Sequence, residues 1–92
     1  MIIRIVGEGQ YEVPSSLFDE LNAIDNRIVE IISKENEKDF KTELSRLINK
    51  IKASGKMLND ADIMESDVIV PPGDLTLKEA KDIFTGSGIF ED

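Results

Sequence analysis

The sequence predicts an α+β fold: a small, mainly antiparallel three-stranded sheet packed on an antiparallel helical hairpin, with a short C-terminal helix. Three observations predict it. Two strand-like segments at the start are joined by glycines, two apolar stripes with helical spacing follow, and a β-branched run then precedes a helix-capping sequence. The predicted order is β-β-α-α-β-α. With 92 residues the chain, 1–92, is expected to form a single domain, because it is too short for two separate cores.

The first two strands are predicted to form a β-hairpin. The segment MIIRIV is rich in β-branched residues, and QYEV alternates polar and apolar side chains. The Gly-Glu-Gly connection between them contains two residues that tolerate positive φ. We expect Tyr11 to face the core, while Glu8 and Gln10 are exposed at the turn.

The turn also begins a G-x-G pattern, which occurs in nucleotide-binding loops. A dinucleotide-binding fingerprint needs a third glycine where this chain has Glu12. A kinase glycine-rich loop needs a valine where this chain has Pro14. The sequence therefore favours a structural turn, with contact to a protein partner as a further role of the same loop.

The first helix is predicted over 15–34, with Ser15 or Ser16 as its cap. Its main apolar stripe has helical spacing and comprises Leu17, Leu21, Ile24, Ile28 and Ile31. A flank of three further apolar side chains widens the stripe: Phe18, Val29 and Ile32. This wide face is either core between the sheet and the second helix, or a site for self-association or for a partner helix.

A second helix follows after a short loop. Asn36 is its predicted cap and Gly55 marks its predicted end. Its apolar stripe comprises Phe40, Leu44, Leu47 and Ile51. Because the loop is short, the two helices should pack antiparallel. The lysines and arginines of this helix are interleaved with acidic residues, which is typical of a solvated face.

The last third of the chain is less regular. Four apolar side chains are expected to pin residues 56–66 to the core: Met57, Leu58, Ile63 and Met64. The run DVIV is the predicted third strand. The sequence TLKE at 76–79 is a capping box that begins a helix over 77–84. Ile89 and Phe90 are expected to dock back on the domain.

Charge and composition exclude several classes of function. The net charge is −8, from 11 basic and 19 acidic residues, which argues against binding to nucleic acid or to anionic lipid by charge alone. The chain has no cysteine and no histidine, so disulfides, thiolate zinc sites and imidazole bases are excluded. Because no apolar run reaches the length of a membrane span, we expect a cytoplasmic protein.

Metal and catalytic sites find no support in the residue pattern. The acidic run at 59–67 places carboxylates at alternate positions, as calcium loops do. Glu65 stands where such a loop needs glycine, and Pro71 where it needs glutamate. A solvated acidic connector is therefore the favoured interpretation. We expect no cofactor, no metal and no catalytic residues.

Several stretches resemble a known family. The segments MIIRIVGEGQYEV, LFDELNAIDN and ESDVIVPPGDLTLKEAKDIF are similar to the PspA-associated domain family, PspAA. The most specific pieces are GEGQY, the Leu-Asn pair of the first helix and Val-Pro-Pro after the last strand. The resemblance implies a link to phage shock protein A, a coiled-coil protein of the membrane-stress response. It implies no catalytic residue.

These observations predict a non-enzymatic interaction module that binds a PspA-like coiled coil in an envelope-stress response. Such a module would meet the inner face of the membrane only through its partner. The candidate partner-contact residues are Glu8, Gln10, Phe18, Val29 and Ile32. Two alternatives stay open: a structural homo-oligomer that pairs through the first helix, and a small enzyme or ligand-binding domain that uses carboxylates.

Overall fold

The computed structural model describes residues 1–59, 64–84 and 88–90, and it confirms the α+β class. Within these residues it has four strands, β1 Ile2–Ile5, β2 Gly9–Glu12, β3 Lys56–Met57 and β4 Val68–Val70. It also has three α-helices, α1 Phe18–Ser33, α2 Glu37–Ser54 and α3 Leu77–Ile83, with a 3₁₀ turn at Ser15–Leu17 before α1. No helix in the described ranges is both long and apolar enough to cross a membrane.

The sheet differs from the prediction in strand number. Its order is β3-β2-β1-β4, with β1–β2 and β2–β3 antiparallel and β1–β4 parallel. The predicted number of three strands is therefore wrong, whereas two of the three pairings are antiparallel, as a mainly antiparallel sheet requires. The two residues of β3 are too few to produce an alternating pattern. The helices α1 and α2 lie between β2 and β3 in the chain, and β4, which follows β3, lies at the opposite edge of the sheet and runs parallel to β1.

The hairpin turn is confirmed. Gly7 and Gly9 have backbone φ angles of 85° and 102°, which residues other than glycine rarely adopt. The backbone N–H of Glu8 donates to the carbonyl of Ile5 across 2.9 Å and closes the turn. The glycines therefore serve the backbone geometry of the hairpin.

One core joins the sheet to the helices. The inner face of the sheet and the stripes of α1 and α2 supply its buried side chains, including Ile3, Ile5, Tyr11, Leu21, Ile28, Phe40, Leu44, Leu47, Ile51 and Val70. Phe84 at the end of α3 packs edge-to-face on Phe40, with ring centroids 6.2 Å apart. Both predicted helical stripes therefore face the core, although Leu17 and Ile31 are only partly buried.

Two of the predicted helix caps are confirmed and one is wrong. The side chain of Asn36 accepts from the N–H of Asp39 at α2, and Thr76 and Glu79 form the capping box of α3. At α1 the N-cap position is Leu17, because Ser15 and Ser16 lie in the preceding 3₁₀ turn. The sequence pattern of α1 did not distinguish that turn from the first turn of the helix.

Candidate interaction site

Glu8 lies at the hairpin turn and is partly exposed. Its carboxylate is 2.6 Å from the ammonium of Lys52, near the end of α2. The hydrogen bond and charge of Glu8 raise the pKa of the Lys52 ammonium. Because both side chains are solvated, the pair contributes little stability. It connects the hairpin turn to the helical layer.

Gln10 is buried, so the prediction that it is exposed at the turn is wrong. Its side-chain amide donates to the carbonyl of Met64 at 2.6 Å and to the hydroxyl of Ser66 at 2.8 Å. Its side-chain carbonyl accepts from the N–H of Met64 at 3.4 Å. Gln10 thus holds the end of the connector across the outer face of the sheet.

Two of the four apolar anchors predicted for residues 56–66 are exposed instead. Met57 is 61% exposed and Met64 is 46% exposed, so the prediction that they pin this segment to the core is wrong. Leu58 is partly buried, and Ile63 lies outside the described residues. The sequence pattern could not predict that the side chain of Gln10 holds this segment, because its hydrogen bonds to Met64 and Ser66 join residues far apart in the sequence.

The apolar flank of α1 is largely used within the domain. Ile32 is buried, while Phe18 and Val29 are partly buried against the core. Phe18 packs edge-to-face on Phe90, with ring centroids 6.2 Å apart. The core interpretation of this wide face is therefore favoured, and a role of these side chains in partner contact stays a prediction.

Asp25 of α1 is buried and holds the described end of the chain. Its Oδ1 accepts from the N–H of Ile89 at 3.2 Å, and its Oδ2 from the N–H of Phe90 at 2.8 Å. Burial raises the pKa of the Asp25 carboxyl, and the two backbone hydrogen bonds oppose this effect. Gly88 has a φ of 93° and lies so close that a Cβ there would overlap the Asp25 carboxylate.

The sequence analysis did not predict these hydrogen bonds of Asp25 to Ile89 and Phe90, which we call the Asp25 clamp, although the position of Asp25 in the sequence was a signal for them. Asp25 follows Leu21 by four residues and precedes Ile28 by three, which places a carboxylate on the buried stripe of the first helix. A buried carboxylate must find hydrogen-bond donors. The docking of Phe90, which was predicted, is confirmed, since its side chain is buried.

A long open groove runs between α1 and α2. One section has a volume of about 540 Å³, and its lining includes Glu20, Ile24, Arg46 and Lys50. A second section of about 390 Å³ is lined in part by Arg27, Ile31, Lys34 and Glu43. Thr42 lines both sections, and we call the two sections together the α1–α2 groove.

Ion pairs between and within the helices mark this groove. At its centre the Glu43 carboxylate lies 3.7 Å from Nη1 of Arg27 and 3.6 Å from Nη1 of Arg46. The side chain of Glu43 is only 15% exposed, whereas those of Arg27 and Arg46 are 53% and 55% exposed. Among the described residues, Oε2 of Glu43 has no hydrogen-bond partner. Two half-exposed guanidiniums therefore share one largely buried carboxylate.

The groove continues on either side of this centre with further pairs. The ammonium of Lys50 is 3.1 Å from the carboxylate of Glu20 on the facing helix. On α1 itself, Lys34 pairs with Glu30 at 3.1 Å. The Lys50–Glu20 pair connects α2 to α1, whereas the Lys34–Glu30 pair lies within α1.

Comparison with known protein families gives a match over the whole chain. The family model described as PspA-Associated protein, PspAA, matches residues 1–92. No curated protein and no solved structure matches the chain in the same comparisons. The family match therefore agrees with the resemblance seen in the hairpin, the first helix and the last strand.

Proposed function

Because the chain belongs to the PspA-associated protein family, we propose that it is a non-enzymatic interaction module whose partner is a PspA-related protein. The observation that carries the proposal is the match of the family model over residues 1–92. The family is described by its association with PspA, so a partner of that class is the first to test.

The use of acidic side chains in the structure supports binding over carboxylate chemistry. The Asp25 carboxylate accepts two backbone N–H bonds from residues near the chain's own end. The Glu43 carboxylate lies between two arginines. A pair of acids for general acid–base work would instead need to face a shared substrate site.

The cellular role follows from the partner. The module acts in the cytoplasm and takes part in the response to envelope stress. It reaches the inner face of the membrane through the PspA-related protein, since its own charge of −8 disfavours anionic lipid.

Isothermal titration calorimetry of the full chain against the purified PspA-related protein of the same organism tests this proposal. We expect saturable binding with a Kd on the order of micromolar or tighter. Titration into an unrelated coiled-coil protein of similar net charge is the control and should give no binding. Equal heats for both proteins, or none for either, would contradict the proposal.

A further inference from the structure

The α1–α2 groove is electrically neutral in a strongly acidic chain. Among the described residues that line it, four are acidic and four are basic: Glu20, Glu30, Asp39 and Glu43, and Arg27, Lys34, Arg46 and Lys50. Since these eight charges cancel, the net charge of −8 is carried by the other residues of the chain. An acidic partner is repelled by most of this molecule and least by the groove.

The centre of the groove carries a local surplus of positive charge. Arg27 and Arg46 share the single carboxylate of Glu43, at distances longer than a hydrogen bond. Each guanidinium has five N–H donors in a planar fork, and about half of each side chain is exposed. Both arginines can therefore bind another carboxylate without leaving Glu43.

The shape and floor of the groove suit a helix. It lies between two antiparallel helices, where a third helix of about 10 Å diameter can pack along both. On the α1 side the lining includes Ile31, which is partly buried, and Ile24, which is 5% exposed, and charged side chains form the rims. Apolar contact flanked by charged side chains is a usual feature of recognition of an amphipathic helix.

We propose that the α1–α2 groove docks an amphipathic helix of the partner, and that a carboxylate on this helix binds between Arg27 and Arg46. This inference rests on the proposed function and names the surface it uses. Such a carboxylate gains charge-assisted hydrogen bonds from two guanidiniums. A helix with lysine or arginine at that position meets two like charges and is rejected.

The test replaces the two arginines and compares a matched pair of lysines. The full-length variant Arg27→Gln/Arg46→Gln keeps side-chain N–H donors near Glu43 and removes two charges. The control Lys38→Gln/Lys41→Gln removes two charges from exposed positions of α2 outside the groove lining. Both are titrated calorimetrically against the purified PspA-related protein of the same organism, after circular dichroism has verified that they fold.

We expect the groove variant to bind about tenfold or more weakly, while the control changes Kd by less than about threefold. A further variant, Arg27→Lys/Arg46→Lys, restores the charge and should regain only part of the affinity, because ammonium groups lack the planar fork. Circular dichroism and the lysine variant keep the test informative if the glutamine variant is poorly folded.

Several outcomes would overturn the groove proposal. Equal weakening in both glutamine variants would assign the effect to net charge, and unchanged or tighter binding by the groove variant would exclude the carboxylate contact. A dimer of the chain alone that the groove variant dissociates in sedimentation would assign the groove to a second copy. The proposed function stands in each of these cases if the wild-type chain still binds the PspA-related protein in the titration; absence of wild-type binding overturns both.

Discussion

At the scale of single residues, Asp25 shows how a buried charge can be accommodated by backbone donors. Its two oxygens meet the N–H groups of two consecutive residues, Ile89 and Phe90. Hydrogen bonds from backbone amides to an ionised carboxylate are stronger than neutral ones, and they offset part of the cost of removing the charge from water. The contact joins α1 to residues more than sixty positions later.

Gly88→Ala is expected to destabilise the domain by about 2–3 kcal/mol, because the new Cβ overlaps the Asp25 carboxylate at a positive φ. Gly7→Ala is the matched control, since Gly7 also has a positive φ but no atom lies within 4 Å of the position that its Cβ would take. It should cost only about 1 kcal/mol from backbone strain. Urea denaturation measures both values. Equal losses would show that the overlap with Asp25 relaxes at no cost.

Asp25→Asn tests the clamp through its pH dependence. Because the folded-state pKa of Asp25 is raised, its protonation stabilises the folded state; this contribution is complete below the ordinary aspartate pKa of about 3.9 and is lost as pH rises through the folded value. Asparagine does not titrate. The stability of wild type relative to the variant should therefore decrease as pH rises from about 3 towards 7.

Urea unfolding of both proteins over that pH range measures the difference, and the other carboxylates cancel because both chains share them. A stability difference that is independent of pH, or one that grows with pH, would contradict the assignment of the raised pKa to Asp25.

At the scale of elements, the helices were predictable and the sheet was only partly so. A stripe such as Leu21, Ile24 and Ile28 predicts a helix face from residues only three or four positions apart. The capping box at α3 is equally local, since Thr76 and Glu79 satisfy each other. The pairing of β4 with β1 has no local signature, because either direction of a three-residue strand gives the same pattern.

The candidate site was predictable to a smaller degree than the helices, because its contacts also join residues that are far apart in the sequence. The alternation of the second strand assigned Gln10 correctly to the face opposite Tyr11, but Gln10 itself is buried and hydrogen-bonded to Met64 and Ser66, a contact that no local pattern indicated. Likewise the arginines of the groove belong to two helices and meet only at Glu43 after packing. The groove could therefore not be derived from either helix alone.

Thr76→Ala should destabilise the domain by about 1 kcal/mol, because α3 loses the side chain that accepts from the N–H of Glu79. The control Thr42→Ala lies within α2 and replaces a threonine whose hydroxyl donates to the carbonyl of Lys38. Alanine has the higher helix propensity there, so this variant should be neutral or slightly stabilising. Thermal unfolding distinguishes the two. A loss of equal size in both would show that the box adds nothing beyond a solvated threonine.

The capping box also has a defined pH dependence. Hydrogen bonds from the Thr76 side chain and backbone lower the pKa of the Glu79 carboxyl. Its contribution to stability is therefore present above the ordinary glutamate pKa and is lost as pH falls through the lower folded value. The penalty of Thr76→Ala, measured by thermal unfolding at neutral and acidic pH, should accordingly shrink in acid, in the direction opposite to the effect at Asp25.

At the scale of the whole molecule, charge is divided between surfaces. The groove holds equal numbers of acids and bases among its described lining residues, whereas the chain as a whole is at −8. Long-range electrostatics therefore repel an acidic partner in most orientations and penalise it least when it approaches the helical hairpin. Orientation of the complex would then be selected during diffusion, before any side chain makes contact.

The parallel pairing of β1 with β4 affects how the chain can fold while it is being synthesised on the ribosome. Ile3 pairs with Val68, a separation of 65 residues, so β1 cannot acquire this neighbour until β4 has been synthesised. At roughly 5–20 residues per second this takes about 3–13 s. During that interval the nascent chain can form its hairpin and helices, but one edge of β1 stays unpaired. The time needed to synthesise the segment between β1 and β4 therefore sets a minimum for how long that edge is open to pairing with other chains.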